Sequence, residues 1–551
     1  MLELLGKKVE LRTKKYNLWN IESIVFSALQ ILPFVILVSF LSFSCQGNSS
    51  KKLNDTDTVK SKPSIQVSQQ LQAFPGQYDS LLGWEFKNNS IPDWKHVIFD
   101  YDNENKLDIL TFRGGNQRNS PVIGELEFTP KSLKLLWDFQ TNVDTLKGRY
   151  GYWGGGAGWT GQPLLLNWSA KECKDVHSLF DAYKSRNKEL KEIVQISLSG
   201  YIYFLDFETG KKTREPIYIA NPIKGTPSVD PQKRFLLVGQ GVPHRGGFHW
   251  RCFDLKTCKL LHEEKTPSSY AFRGWGASDA SPLFSKDAKF IWPTESGVIY
   301  FGQSTDKGIN QLAQAHYRFT VPSKQGTESS PSAFANLIYM TDNGGTVICF
   351  DVNTMKPRWH YVSGDDNDAT PVVDIENGVP FIYIGNEVDK QGDSGKSSFS
   401  KLNGLTGKLV WKYSKICNSV FGKKPNNGGI LSTCCIGKGK MKSYVWTVFS
   451  RLGKSTSGKL VCINKETGTL KYEIHLNQYS WVSPILLYDQ SGNGYIYLAD
   501  VGGNVYIFNA ETGEIIYKKN IGSTFESSPI AYKNFIIQPA RGNRILCFQI
   551  E

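Results

Sequence analysis

Short apolar runs, separated by turn-forming residues, recur along most of the chain. In residues 326–364, three such runs (AFANLIYM, GTVICFDV and RWHYV) are rich in β-branched and aromatic residues, and DNGG and NTMKP lie between them. Apolar runs bounded by Gly, Asn and Pro are typical of antiparallel strands joined by tight turns. The segment is therefore predicted to form three or four strands.

The same unit returns from Trp481 and, in shortened form, from Glu526. A repeat of about 40 to 50 residues with four strands per unit is the signature of a β-propeller blade, whose faces are buried only against neighbouring blades. We therefore predict an all-β fold, a β-propeller of about eight four-stranded blades, with nine as the alternative count.

The two ends of the chain are predicted to close this ring. The last unit offers only three strands, and a lone strand-like segment, Leu82–Phe86, is free to supply the fourth. Closing the ring in this way removes exposed sheet edges. The unit that begins at His96 is irregular, and in an eight-bladed ring it is the one expected outside. The next unit carries a charged, helix-like insertion, AKECKDVHSLFDAYKSRNKELKE.

The N-terminus points to export from the cytoplasm. Five basic residues precede the apolar run SIVFSALQILPFVILVSFLSFSC, which ends at Cys45 like the lipobox of a bacterial lipoprotein signal. We predict a signal or anchor in residues 1–45 with lipidation on Cys45, a polar tether in 46–78 and the propeller in 79–551. An uncleaved membrane helix is the alternative, since the run is long enough to span a bilayer. The expected location is the periplasm-facing envelope, with the outer membrane favoured.

The chain is basic, with a formal net charge of +13. Its lysines are scattered, and no basic helix or nucleic-acid module accompanies them, so a solvated surface is predicted and nucleic acid is not an expected partner. Of the ten cysteines, four occupy the same place in successive units: Cys252, Cys349, Cys462 and Cys547. Equivalent positions in different blades lie far apart, so these thiols are predicted to be small buried apolar residues rather than disulfide partners.

A recurring hairpin sequence carries a family resemblance. DFETGKK, NGLTGKLVWKY, NKETGTLKYEI and NAETGEIIYKK, with Ser-Ser-Pro or Thr-Pro opening the inner strand, resemble the pyrroloquinoline-quinone (PQQ)-type propeller repeat. That family includes quinoprotein dehydrogenases and the propeller lipoprotein of the outer-membrane β-barrel assembly machinery. The resemblance implies the fold. The shared residues are structural, with Gly in the turn and the aromatic residue between blades, so they assign no activity.

Function is then expected from residues that differ between blades at the mouth of the ring. The positions three before the inner-strand Pro in the clearest units are Lys224, Asp279, Glu328, Asp368, Trp481 and Glu526. Converging carboxylates raise one another's pKa unless a cation or donor satisfies them, so the mouth is predicted to take a metal ion, an amine or a basic side chain. Residues expected next to them are Trp153, Trp159, Arg273, Trp275, Asp365 and Asp366.

A separate calcium site is predicted in FDYDNENKLDIL. Asp100, Asp102, Glu104 and Asp108 stand at positions 1, 3, 5 and 9 of a turn, a spacing that lets oxygens converge on Ca²⁺. The motif resembles the calcium loop of integrin-type FG-GAP repeats. The alternative is a solvated acidic turn.

We interpret the chain as a membrane-tethered propeller that binds an envelope protein or a small polar or cationic ligand, without catalysis. The competing interpretation, implied by the family resemblance, is a PQQ-dependent dehydrogenase with calcium on the axis. It would have the mouth carboxylates contact calcium and a Cys434–Cys435 disulfide stack over the quinone. The flanking LSTCCIGKGK favours two core thiols instead.

Overall fold

The computed structural model describes residues 82–99, 107–158, 161–319, 325–389, 391–420, 426–453 and 455–551. All of them belong to one compact unit, Gln66–Glu551. The predicted signal, Cys45 and the tether fall outside the described residues and stay predictions. Within the described ranges, no helix is both long and apolar enough to cross a membrane.

Eight antiparallel sheets form the blades of a β-propeller, which confirms the predicted fold and decides between eight and nine blades. Blade 1 consists of Leu164–Trp168, Leu190–Ile196, Tyr201–Asp206 and Ile217–Tyr218, and blade 2 of Ser228–Val229, Phe235–Val238, Phe248–Asp254 and Leu260–Thr266. Blade 3 consists of Leu283–Phe284, Lys289–Pro293, Ile299–Thr305 and Gly308–Phe319, and blade 4 of Ser332–Phe334, Leu337–Thr341, Thr346–Asp351 and Lys356–Val362. Blade 5 consists of Val372–Glu376, Val379–Gly385, Gly395–Asn403 and Leu409–Cys417, and blade 6 of Cys435–Ile436, Tyr444–Ser450, Gly458–Asn464 and Leu470–Leu476. Blade 7 consists of Ile485–Tyr488, Gly494–Ala499, Asn504–Asn509 and Ile515–Asn520.

A few short elements lie outside this four-strand scheme. Glu387–Val388 pairs with Gly428–Gly429 beside blade 6, and Asp144–Gly148 forms a hairpin with Gly151–Gly154. The charged insertion of blade 1 is helical, as predicted, and contains two helices, while the described residues elsewhere include three single 3₁₀ turns. The helices are Ala170–Asp175 and Asp181–Lys184, and the turns are Lys87–Asn89, Gly392–Ser394 and Gly439–Met441.

The ring is closed by both ends of the chain, but not by the strand predicted. Blade 8 combines Ile530–Tyr532, Phe535–Pro539 and Arg544–Ile550 with the N-terminal strand Leu133–Gln140. The prediction that Leu82–Phe86 closes the ring is therefore wrong.

Leu82–Phe86 instead pairs with Gly308–Phe319 as a fifth strand on blade 3. The physical reason is its aromatic side chains, because Trp84 packs 5.0 Å from the Phe350 ring and Phe86 packs 5.5 Å from the Phe301 ring. The unit that begins at His96 is not a blade, as expected for an eight-bladed ring. Its last run is the closing strand of blade 8.

Aromatic residues join successive blades in the manner predicted from the repeat. The indole Nε1 of Trp359, on the outer strand of blade 4, donates to the carbonyl of Gly404 in blade 5 at 2.9 Å. Its ring covers Gly407, where an added Cβ would lie 2.6 Å from Trp359 Cδ2. The other aromatic and glycine pairs of this kind are Trp137 with Gly210, Trp411 with Gly468, and Tyr472 with Gly513.

A belt of hydrogen bonds links the inner strands around the channel. The backbone N–H of the residue before the inner-strand Pro, or before Cys434 in blade 6, donates to the hydroxyl of the equivalent residue in the next blade. The links are Ser281 to Ser330 (2.9 Å), Ser330 to Thr370 (3.0 Å), Thr370 to Thr433 (3.1 Å), Thr433 to Ser483 (3.0 Å) and Ser483 to Ser528 (3.1 Å). The Ser-Pro and Thr-Pro dipeptides thus connect neighbouring blades around the channel.

Replacing Thr370 by Val is expected to lower the free energy of unfolding by about 1–3 kcal/mol. The shape of the side chain is kept, but the buried Ser330 N–H loses its acceptor. Urea unfolding followed by tryptophan fluorescence measures the loss. Thr469→Val on an exposed hairpin turn is the control, and equal effects of the two substitutions would contradict the role of the belt.

Residues 107–123, which we call the plug, cross the channel on one side of the belt. The plug backbone forms hydrogen bonds with the inner strands of five blades. Ile109 and Leu165 bond in both directions, from Ile109 N to Leu165 O at 2.8 Å and from Leu165 N to Ile109 O at 3.0 Å. The other four bonds run from Val229 N to Leu110 O (2.8 Å), Ala333 N to Asn116 O (2.8 Å), Val373 N to Gln117 O (3.0 Å) and Ala531 N to Pro121 O (3.2 Å). The guanidinium of Arg118 reaches Ser281 O of blade 3, and that of Arg113 reaches Cys434 O of blade 6 and Pro484 O of blade 7. All eight blades therefore contact the plug, which closes this end of the channel.

Candidate functional site

The opposite end of the channel is the mouth, where blades 2 to 5 bring four of the predicted residues together. Lys224 forms a buried ion pair with Asp279, and its Nζ lies 4.0 Å from Glu328 Oε2. Asp368 lies next along the ring, with Glu328 as a charged neighbour. The register of three residues before the inner-strand Pro thus places these four side chains on one side of the mouth.

Two further acids of the mouth escaped the sequence analysis. Glu295 Oε1 lies 3.9 Å from Lys224 Nζ, and one oxygen each of Glu295, Asp279 and Glu328 lie within 4.8 Å of one another. Glu387 pairs with Asp368 as Glu295 does with Asp279, since the carboxyl groups of Glu387 and Asp368 are within hydrogen-bonding reach.

Glu295 and Glu387 come from the turn that follows the second strand of blades 3 and 5. In other blades this turn is DNGG, DVGG or ARGN, whereas here it reads PTESG and GNEVD. The signal that could have found them is an acid in the turn that follows the second strand, two strands after each mouth residue.

These carboxyl groups are buried and short of donors. Glu295 and Glu387 are 3% and 0% exposed, and the Oε1 atom of each has no hydrogen-bond donor among the described residues. Glu387 Oε2 accepts from Asn427 Nδ2 at 2.9 Å. Because two carboxylates cannot donate to each other, a close carboxyl pair must hold a proton or a cation between its oxygens.

Burial and mutual repulsion raise the pKa of these acids. Loss of solvation raises the pKa of Asp279, and it acts together with Glu328 to raise that of Glu295. The pKa values of Asp368 and Glu387 are raised by burial and by neighbouring carboxylates. Burial alone would lower the pKa of Lys224, but the three carboxylates around it outweigh burial and raise it.

A second layer positions the acids. Asn343 Nδ2 donates to Glu328 Oε1 at 3.2 Å and to Asp366 Oδ2 at 3.4 Å, and its Oδ1 accepts from Arg273 at 3.1 Å. Asp365 Oδ2 accepts from the backbone N–H of Asp389 at 3.0 Å. Arg273 and Asp366 therefore adjoin the acidic cluster, as the sequence predicted, whereas Asp365 holds the segment that follows Glu387.

The remaining mouth residues lie apart from this acidic cluster. Glu526 of blade 8 is 3.5 Å from Arg541, and burial raises its pKa. Trp481 of blade 7 is half-buried, and Trp153 stacks with Arg541 at 5.9 Å. Trp275 packs on Phe248 and Tyr150, and Trp159 lies outside the described residues. The mouth therefore has an acidic half in blades 2 to 5 and a mixed half opposite.

Three of the four predicted calcium ligands, Asp100, Asp102 and Glu104, fall outside the described residues. The fourth, Asp108, accepts a hydrogen bond from the backbone N–H of Asn167 at 2.6 Å, and burial raises the pKa of its carboxyl. This calcium site stays a prediction.

The cysteines of the repeat are free and buried, as predicted. Cys434 and Cys435 are also free thiols, and burial raises the pKa of each. The carbonyl of Cys434 accepts from Arg113 of the plug at 3.1 Å. The pair therefore lies on the plug side of the belt, not in the mouth.

The fold is an eight-bladed propeller, and it is similar to the solved structures of two quinohemoprotein alcohol dehydrogenases. The enzyme ADHIIG from Pseudomonas putida HK5 is 11% identical, with a TM-score of 0.54 over 82% of this chain and 83% of that one. The enzyme from Comamonas testosteroni is 12% identical, with a TM-score of 0.54 over 82% of each chain. BamB from Moraxella catarrhalis is 20% identical over 65% of this chain and 94% of that one, with a TM-score of 0.46. No protein-family model and no curated protein matches the sequence.

Proposed function

We propose that this protein is a non-catalytic binding scaffold, tethered to the membrane outside the cytoplasm, whose mouth binds a cation. The guest is a metal ion or the basic group of a ligand or partner protein. The observation that carries the proposal is the buried set Asp279, Glu295 and Glu328, whose oxygens lie within 4.8 Å of one another. The tether and its location rest on the sequence of residues 1–78.

The spacing of these oxygens suits calcium. Ca²⁺ takes oxygen ligands at about 2.3–2.6 Å, so two ligands on opposite sides of the ion lie about 5 Å apart. The ammonium of Lys224 lies within 4.0 Å of all three carboxylates, which supports an amine as the alternative guest. The Asp368 and Glu387 pair adds a second acidic group for a larger cation.

Calorimetric titration of the purified propeller with calcium chloride, and separately with spermidine, tests this function. Glu295→Gln is expected to weaken binding of the preferred cation at least about tenfold, because it removes a charge from the buried cluster while keeping its shape. Glu511→Gln, on an exposed hairpin turn, is the matched control. Absence of saturable binding by either cation, or equal affinity of the two variants, would contradict the proposal.

The alternative implied by the family resemblance, a quinone-dependent dehydrogenase, is supported by only part of this chain. The mouth carboxylates are a suitable donor set for calcium. The Cys434 and Cys435 thiols, which that interpretation places over the quinone as a disulfide, lie against the plug instead. The residues present thus fit the metal of that mechanism but not its disulfide.

A further inference from the structure

A second cavity lies on the other side of the belt from the mouth. It has a volume of about 120 Å³ and is bounded by the plug and by the inner strands of blades 6 and 7, with Arg113, Ser120, Lys438 and Tyr488 among its lining residues. No carboxylate lines this cavity. Its polar lining is therefore basic and donor-rich, the reverse of the mouth.

Arg113 is a buried cation without a counter-ion. Its side chain is fully buried, NH1 donates to Pro484 O at 2.9 Å and NH2 donates to Cys434 O at 3.1 Å. Its Nε–H has no acceptor among the described residues, and no described carboxylate forms an ion pair with it. Burying an uncompensated charge is costly, so an anion that accepts from this donor would stabilise the buried guanidinium.

The second arginine of the plug shows the contrast. Arg118 is equally buried, but its Nε donates to Pro331 O at 2.8 Å and its NH2 donates to Ser281 O at 2.9 Å. NH1 of Arg118 donates to Thr111 Oγ1 at 2.6 Å and to Phe112 O at 3.0 Å, so all three nitrogens of this guanidinium have acceptors within the protein. Of the two, only Arg113 lines the cavity.

Two more donors converge on the same space. The Tyr488 hydroxyl accepts from the backbone N–H of Lys438 at 2.6 Å, so its own hydrogen is left to donate. Burial raises the pKa of Tyr488, which keeps that hydrogen in place at neutral pH. The ammonium of Lys438 lies 3.4 Å from Ser120 Oγ at the rim.

We propose that this cavity binds a small oxyanion, a carboxylate or phosphate group held by Arg113, Tyr488 and Lys438. A water molecule takes about 30 Å³, so a cavity of this size holds one such group. An oxygen of the anion would accept the charge-assisted hydrogen bond from the Arg113 Nε–H, which has no acceptor among the described residues. The site is separated from the mouth by the belt and the plug, so it does not depend on the function proposed for the mouth.

Calorimetry with sodium phosphate and with sodium acetate, each against sodium chloride at matched ionic strength, tests the site. We expect saturable binding of at least one probe, and the tighter of the two identifies the group. Tyr488→Phe is expected to weaken binding about tenfold, near the low end of the range for hydrogen bonds to charged groups. Lys438→Gln is expected to weaken it about threefold, because Lys438 is exposed at the rim and water screens its charge. Lys440→Gln, whose ammonium contacts Asn493 away from the cavity, should leave affinity unchanged.

Three results would overturn the proposal. They are no saturable binding of either anion, unchanged affinity in both Tyr488→Phe and Lys438→Gln, or equal weakening in Lys440→Gln, which would show that general surface charge is responsible. Far-ultraviolet circular dichroism of each variant checks that it is folded. Both substitutions lie near the rim or keep the shape of the side chain, so Arg113 itself stays in place.

Discussion

Replacing Arg118 by alanine is expected to destabilise the propeller by about 3–5 kcal/mol. The side chain is fully buried, and its guanidinium donates to Pro331 O, to Ser281 O and, within the plug, to Phe112 O at 3.0 Å. Alanine would leave these carbonyls without donors and would leave a cavity at the centre of the ring. Equilibrium unfolding in guanidinium chloride, followed by tryptophan fluorescence, measures the loss.

The matched control is Arg149→Ala on the exposed hairpin beside the mouth. Arg149 stacks on Tyr150 at 5.6 Å and forms no ion pair with a described residue, so its removal should change stability by less than about 0.5 kcal/mol. A loss below about 1 kcal/mol for Arg118→Ala would show that the plug does not help to hold the blades together.

The second large effect is expected at a joint between blades. Gly407→Ala should cost about 3 kcal/mol, because Gly407 has φ +70° and an added Cβ would lie 2.6 Å from Trp359 Cδ2. The left-handed backbone alone costs an L-residue about 1–2 kcal/mol, and the clash adds a similar amount.

Gly378→Ala separates the two contributions to that cost. Gly378 has φ +81° and no atom within 4 Å of an added Cβ, so only the backbone cost of about 1–2 kcal/mol is expected there. Chemical denaturation of the two variants gives the difference between them. Equal destabilisation would mean that the contact of Trp359 with Gly407 is not a close-packed joint.

The repeat could be predicted from the sequence because each blade has the same local code. Apolar strands, Asn or Asp before the hairpin, Gly in the turn and an aromatic residue on the outer strand are short-range features, and each recurs several times. The closing strand could not be chosen in this way. LLGWEF and LLWDFQ have nearly the same pattern, and only the path of the intervening chain decides which one reaches blade 8.

The plug was missed for a different reason. LDILTFRGGNQRNSPVIG is rich in Gly, Asn and Arg, which is typical of an exposed loop. Arg113 and Arg118 are nevertheless buried, because the carbonyls at the start of the inner strands need donors. These carbonyls need donors only once the ring has closed, so the local order of polar and apolar residues does not indicate that the two arginines are buried.

The sequence predicted those residues of the mouth that share one position in the repeat. Lys224, Asp279, Glu328 and Asp368 share one repeat position, and the structure brings them together. Glu526 shares that position too, but the ring places it with Arg541 in blade 8. The repeat position of a residue can be read from the sequence. How far apart two such residues lie around the ring can be predicted only when the number of blades and the closing strand are known.

The raised pKa values make the mouth sensitive to pH. Folded, cation-free protein keeps protons on Glu295, Asp368 and Glu387 at pH values where the unfolded chain has lost them. These protons therefore stabilise the fold at low pH, and that contribution is lost as the pH rises from the ordinary carboxyl range, near 4, through the raised values. A cation competes with the protons, so its affinity should increase with pH.

Proton release on cation binding tests the function of the mouth most directly. Calcium titrations at pH 6, carried out in two buffers with different ionisation enthalpies, report the number of protons released. We predict saturable binding with net release of protons, and tighter binding at pH 8 than at pH 6. Binding without proton release and with no dependence on pH, or no binding at all, would contradict a cation site in the buried carboxyl cluster.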